Sequence, residues 1–117
     1  MKNNSFFDRF SFAVRGIQIG WQAERSFRIQ IVLATGALGF LAILRPDAVW
    51  WALFVLIIGA VLAAELFNTA LEFLIDRVHP DLHPMIGNAK DCAAGAVLLL
   101  SLAAIGILGA LLLKTYA

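Results

Sequence analysis

Residues 48–76 read A-V-W-W-A-L-F-V-L-I-I-G-A-V-L-A-A-E-L-F-N-T-A-L-E-F-L-I-D, and this stretch decides what kind of protein the chain is. From Ala48 to Ala64 there is no charge, no proline and one glycine, Gly59, so nothing stops a helix before the polar residues begin. The helix is expected to run straight on through them. At roughly 100° per residue, with Glu65 set at zero, Asn68 falls near −60°, Thr69 near +40°, Glu72 near −20° and Asp76 near +20°. The polar groups therefore share one stripe, with Leu66, Phe67, Leu71 and Leu74 on the opposite face. A carboxylate at the centre of a membrane helix costs about 2.5–3.5 kcal/mol, so one that persists near a bilayer is a functional candidate.

The rest of the composition agrees with a membrane. Of 117 residues, 62% are hydrophobic and 15% charged, against the roughly 45–50% apolar content of soluble domains. The chain reads as one integral membrane domain, residues 1–117. Its single cysteine, Cys92, excludes an internal disulfide, and no CxxC or Cys/His pattern points to zinc or redox chemistry. A formal charge of +1 gives no reason to invoke nucleic acid. Phe6, Phe7, Arg9 and Phe10 stand where a signal peptide would have a continuous apolar core, so the N-terminus is read as mature structure.

Working outward, residues 5–24 form an amphipathic helix in which Phe6, Phe7, Phe10, Val14, Ile17 and Trp21 share one face and Asp8, Ser11, Arg15, Gln18 and Gln22 another. Aromatic residues on one side and arginines off it suit a helix lying in the membrane interface; a soluble helix packed on a partner is the alternative. The uncharged run Ile29 to Leu44 is slightly short for a span of about 17–25 residues. It suffices if the helix begins near Ser26, with Arg28 snorkelling to the headgroups. Arg45-Pro46-Asp47 is a polar turn, and Trp50 and Trp51 resemble an interfacial aromatic belt. The segment His79-Pro80-Asp81-Leu82-His83-Pro84 breaks the second span, and the uncharged run Cys92 to Leu113 is long enough to cross alone. The spans are thus 26–44, 48–78 and 91–114, and the fold class is an all-α membrane protein with three transmembrane helices and an N-terminal interfacial helix. Gly95, Gly106 and Gly109 favour close helix approach and self-association.

Three spans put Lys2, Arg9, Arg15, Arg25, Arg28, Arg77 and Lys90 on one side and only Arg45 and Lys114 on the other. By the positive-inside rule the first side is cytoplasmic, as expected of a bacterial cytoplasmic (inner) membrane protein. Every acidic residue except Asp47 then lies on the face that meets ATP and magnesium. No Walker loop, kinase glycine loop or nucleophile elbow is present. Phosphoryl transfer nevertheless needs only a carboxylate-held magnesium, a cation for the phosphates and a group that orients the attacking oxygen. Glu24, Glu72 and Lys90 could supply the first two. Glu65, nearest the bilayer, is placed to take a proton from a lipid alcohol.

The pattern E-L-x-N-T-A-x-E-x-x-x-D, then H-P, then N-A-K-D-x-A-A-G-A-V, preceded by F-A-x-x-G-I and E-R-x-F, resembles the small prokaryotic diacylglycerol kinase and undecaprenol kinase family from about residue 10 to residue 113. The resemblance implies a homotrimeric helical bundle with active sites shared between subunits at the cytoplasmic interface. It implies Glu65 as catalytic base, Glu24 and Glu72 as ligands of the nucleotide-bound magnesium (Mg2+), and Asn68 as the amide beside the reacting centre. Lys90 matches a phosphate-contacting lysine, His83 and Asp91 match nucleotide-binding positions, and Asp76 matches an acidic position at the end of the second span. The motifs lie nearer the undecaprenol than the diacylglycerol branch.

Plainer readings stand beside these. Glu24 lies four residues before Arg28 and could form an ordinary intrahelical ion pair. Asp76 and Arg77 could simply end a helix, His83 could be a loop residue, and Asn88 could cap the third span. Asn68 could glue a trimer through interhelical hydrogen bonds. At the level of the whole protein, a non-catalytic membrane assembly partner and an ion channel or carrier compete with the kinase.

Overall fold

The computed structural model describes residues 5–78 and 84–117, and they form four helices: α1 (Phe6–Ala23), α2 (Arg25–Leu44), α3 (Ala48–Val78) and α4 (Pro84–Tyr116). Three of them, α2, α3 and α4, are long and apolar enough to cross a membrane. The chain is an all-α, multi-pass membrane protein. At 1.5 Å per residue the 31 residues of α3 rise about 46 Å, well beyond a hydrocarbon core of about 30 Å. Glu65 stands about 26 Å along the helix from Ala48, so the part of α3 that carries the carboxylates begins near the far edge of such a layer and continues beyond it.

Each helix starts and stops for local reasons. Ser5 and Asp8 form a capping box, with the Asp8 N–H donating to Ser5 Oγ at 3.2 Å and the Ser5 N–H to Asp8 Oδ2 at 3.3 Å. One extended residue, Glu24, separates α1 from α2: its N–H donates to the Gly20 carbonyl at 3.0 Å, ending α1, and its carbonyl accepts from the Arg28 N–H at 3.3 Å, starting α2. Arg45 ends α2 in the left-handed region, φ 55°, and its N–H returns to the Leu41 carbonyl at 2.8 Å. Pro46 follows and bars further helix.

The helix that carries the third span begins at Pro84, seven residues before residue 91. A proline in the first helical position loses no hydrogen bond, because that N–H has no intrahelical partner. Asn88 consequently lies inside α4 and is not its cap.

The protein is apolar outside, and its interior is apolar except for two polar residues of α3. Among the described residues, Phe27, Leu41, Phe54, Val61 and Leu111 are the buried hydrophobic ones, and Glu65 and Thr69 the buried polar ones. Phe67, Phe73 and Leu74 on α3 and Leu98, Leu99 and Leu113 on α4 are exposed. Such a surface suits an apolar surrounding, where every backbone group must find its partner within its own helix. On α1, Phe6, Phe7, Phe10 and Ile17 are exposed, as are nearly all other residues of the helix except Gly16 and Gly20. Trp50 and Trp51 pack against the cluster of Leu41, Phe54 and Leu111. They belong to the bundle's packing at the α2–α3 turn as well as to its rim. Exposed ion pairs mark the two ends of the α3–α4 hairpin, Lys114–Asp47 at 3.7 Å and Lys90–Asp76 at 3.6 Å, each contributing about 0–1 kcal/mol.

The surface helix is seated by Gly20. This glycine is buried, and a Cβ on it would stand 2.5 Å from Leu66 Cδ2 and 3.4 Å from Phe27 Cδ2. Leu66 can swing aside for a methyl group but not for a branched side chain. Gly20→Val is expected to destabilise the protein by about 1–3 kcal/mol, measured as a lower Tm in detergent micelles, and Leu66→Ala in the same chain is expected to recover part of the loss.

Candidate active site

The site lies where the α1–α2 elbow meets the polar stripe of α3. Glu65 is 3% exposed and Thr69, one turn on, 4% exposed. The start of the stripe therefore faces inward, while Phe67 and Leu74 face out and Asp76, at its far end, is exposed. The Thr69 hydroxyl donates to the Glu65 carbonyl at 2.9 Å, and the Ser26 hydroxyl donates to Glu65 Oε2 at 2.9 Å. A buried carboxylate without a partner is costly; Ser26 satisfies one of its oxygens from the first turn of α2.

Glu24 reaches the same region from the elbow. Burial pushes its carboxyl pKa above the usual glutamate range; the negative charge of Glu72, a hydrogen bond shared with Glu72 and the charge of Glu65 push the same way, and Arg28 opposes them. Two carboxylates brought together in this way each disfavour the other's charge. They are equally the donor set that a hard divalent cation relieves.

Glu24 and Arg28 make no ion pair among the described residues. Glu24 has φ −123° and ψ 118°, outside any helix, so the i, i+4 geometry that an intrahelical pair requires does not exist. Arg28 instead donates from Nη1 to the carbonyls of Trp21 at 2.6 Å and Gln22 at 3.4 Å. Its guanidinium closes the C-terminus of α1 rather than only reaching for headgroups, and it braces the elbow that carries Glu24.

Asn68 is half-buried on α3, one turn beyond Glu65. Lys90 pairs with Asp76 across the α3–α4 hairpin, so Asp76 does more than end a helix. Asp91 is exposed beside Lys90. His83 lies outside the described residues. The structure thus gathers Glu24, Glu65 and Glu72 around one elbow and joins Lys90 to Asp76. Among the described residues no group of three or more His, Cys, Asp or Glu is arranged to hold a metal ion. Two carboxylates completed by phosphate oxygens and water are nevertheless an ordinary magnesium donor set, and the mutually repelling Glu24 and Glu72 fit it.

Reading the sequence missed Ser26 and the bracing role of Arg28. A serine in the first turn of a helix belongs to no recognisable spacing, and its meaning depends on a partner 39 positions away.

An undecaprenol kinase of Bacillus subtilis is 40% identical over 96 residues, covering 80% of this chain and 76% of that protein. A diacylglycerol kinase of Synechocystis sp. is 37% identical over 105 residues, 89% of this chain; the match spans only 60% of that protein's length. A diacylglycerol kinase of Escherichia coli is 29% identical over 94 residues, 80% of this chain and 77% of its own. Residues 11–112, which hold α2, α3, nearly all of α4 and every candidate residue above, match the family described as prokaryotic diacylglycerol kinase, and the chain belongs to that family.

Proposed function

We propose that this protein is an ATP-dependent lipid kinase of the bacterial cytoplasmic membrane, transferring the γ-phosphate of ATP to the primary alcohol of a membrane lipid, with undecaprenol favoured over diacylglycerol. The observation that carries the reading is a buried, hydrogen-bonded carboxylate at the end of a membrane bundle with a pair of mutually repelling carboxylates beside it. The first suits proton removal from an alcohol whose tail stays in lipid; the second suits a nucleotide-bound cation.

Glu65 accepts the alcohol proton as the oxygen attacks phosphorus. Glu24 and Glu72 would hold magnesium, whose chemistry when bound with the nucleotide is to neutralise charge on the β- and γ-phosphate oxygens. Lys90, released from Asp76, contacts the phosphates as a point charge. Asn68 orients the reacting groups, and His83 and Asp91 contact the nucleotide. The excess of basic residues at the end that bears these groups supports a cytoplasmic site. The many exposed apolar side chains of α2, α3 and α4 leave room for a homotrimer within the membrane, as the family resemblance implies.

The named relatives include both an undecaprenol kinase, 40% identical, and diacylglycerol kinases, one of them 37% identical. The preference for undecaprenol rests on the F-A-x-x-G-I and N-A-K-D-x-A-A-G-A-V segments. Offering both lipids at matched surface fractions in mixed micelles with labelled ATP tests it. Preferential labelling of undecaprenol is the expected result. Preference for diacylglycerol would reverse the substrate assignment, and no transfer to either by folded protein with magnesium present would return the chain to a non-catalytic role.

A further inference from the structure

We propose that Ser26 is the positioning residue of the transfer step: its hydroxyl fixes the rotamer of the Glu65 carboxylate so that the free oxygen, Oε1, faces the incoming lipid alcohol. The inference rests on Glu65 as the base. Ser26 Oγ lies 2.9 Å from Glu65 Oε2, while Glu65 is 3% exposed and Ser26 is exposed. The hydroxyl thus sits on the open rim of the site and holds a carboxylate that is otherwise enclosed.

Among the described residues no ion pair reaches Glu65. Arg28, on the same elbow, is occupied by the carbonyls of Trp21 and Gln22. A neutral donor suits this task, because it orients the carboxylate without the charge pairing that would hold it as a poor proton acceptor. The Glu65 backbone is fixed separately by the Thr69 hydroxyl on its carbonyl at 2.9 Å. Main chain and side chain of Glu65 are therefore held by two different hydroxyls, and only that of Ser26 bears on where the carboxylate points.

Ser26 also lies two residues after Glu24, in the first turn of α2. One elbow, braced by Arg28, sets both the carboxylate pair for the cation and the orientation of the base. In the step itself the alcohol O–H bond breaks and its proton passes to Glu65 Oε1. The alcohol oxygen forms its bond to the γ-phosphorus, and the bond to the β–γ bridging oxygen breaks, ADP leaving with the electron pair. A base turned away by one rotamer misses the near-attack geometry this requires.

The test uses the full-length protein in lipid–detergent micelles, comparing kcat and the KM values for ATP and for the lipid alcohol in Ser26→Ala, Ser26→Thr, Ser26→Val and Glu65→Gln. Ser26→Ala is expected to lower kcat about 10- to 100-fold with both KM values within about twofold. Ser26→Thr, which keeps the hydroxyl, is expected to restore most of the rate, whereas Ser26→Val, of the same shape without it, does not. Equal rates for Thr and Val, or a wild-type kcat in Ser26→Ala alongside an inactive Glu65→Gln, would overturn the role of Ser26 and leave the base intact. An active Glu65→Gln would instead overturn the base. A loss spread over kcat and both KM values, with Thr no better than Ala, would make Ser26 merely structural.

Discussion

Glu65→Gln is expected to lower the rate of phosphate transfer by about a hundred- to ten-thousandfold, the range that a positioned general base contributes, while leaving the protein folded. The substitution preserves the shape of the side chain, and its amide oxygen can still accept from Ser26 Oγ, the contact made at 2.9 Å. The backbone link from Thr69 to the Glu65 carbonyl is untouched. What is lost is the ability to take a proton. The measurement is kcat in mixed micelles together with Tm in the same detergent. A large fall in kcat with Tm held or raised is the signature of lost chemistry, because removing a buried charge relieves a desolvation cost. Activity within a few-fold of the parent would mean that another group accepts the proton.

The second large effect concerns Glu24 and Glu72. Each supplies one of only two candidate carboxylates for the cation, so Glu24→Gln and Glu72→Gln are each expected to raise the magnesium concentration for half-maximal activity. The increase should exceed the roughly ten- to hundredfold that losing a supporting residue around a metal costs. The same pair predicts a change in stability that activity alone would not reveal. Burial and the charge of Glu72 hold the Glu24 pKa above its ordinary value. A carboxyl whose folded pKa is raised favours the native state most fully below its unfolded pKa, and that contribution is lost as pH rises through the folded value.

At neutral pH the cation-free protein therefore carries the repulsion as a cost. Glu24→Gln is expected to raise Tm at pH 7 in the presence of a chelator and to flatten the fall of Tm as pH rises from the ordinary glutamate range toward neutrality. Magnesium is expected to raise the Tm of the parent by mass action and to do so far less in either variant. A parent Tm that ignores both pH and magnesium in this range would separate Glu24 and Glu72 from the cation. The variant gains stability as it loses function, the usual relation where like charges are kept together for a ligand.

How much of this could be read from the chain alone depends on which forces act locally. The uncharged runs, the proline breaks and the 3.6-residue spacing of Glu65, Asn68, Thr69, Glu72 and Asp76 determined three membrane helices, an interfacial helix and a one-sided polar stripe, because helix formation and partition into lipid depend on neighbouring residues. The exit at Pro84 was legible only in part: two prolines promise a break, but which one opens the next helix depends on the path of the chain between the hairpin's ends. Glu24 stood in the sequence as an unremarkable neighbour of Arg28. Only the tertiary structure makes it an extended elbow residue, turns its carboxyl toward Glu72 and gives Arg28 to the end of α1. Ser26 carried no signal at all, since a hydroxyl gains meaning from what lies within 3 Å of it, and that is decided by how α2 packs on α3. Periodicity along one helix determined which side chains share a face; the distances between helices, on which hydrogen bonds and charge repulsion depend, were decided by packing.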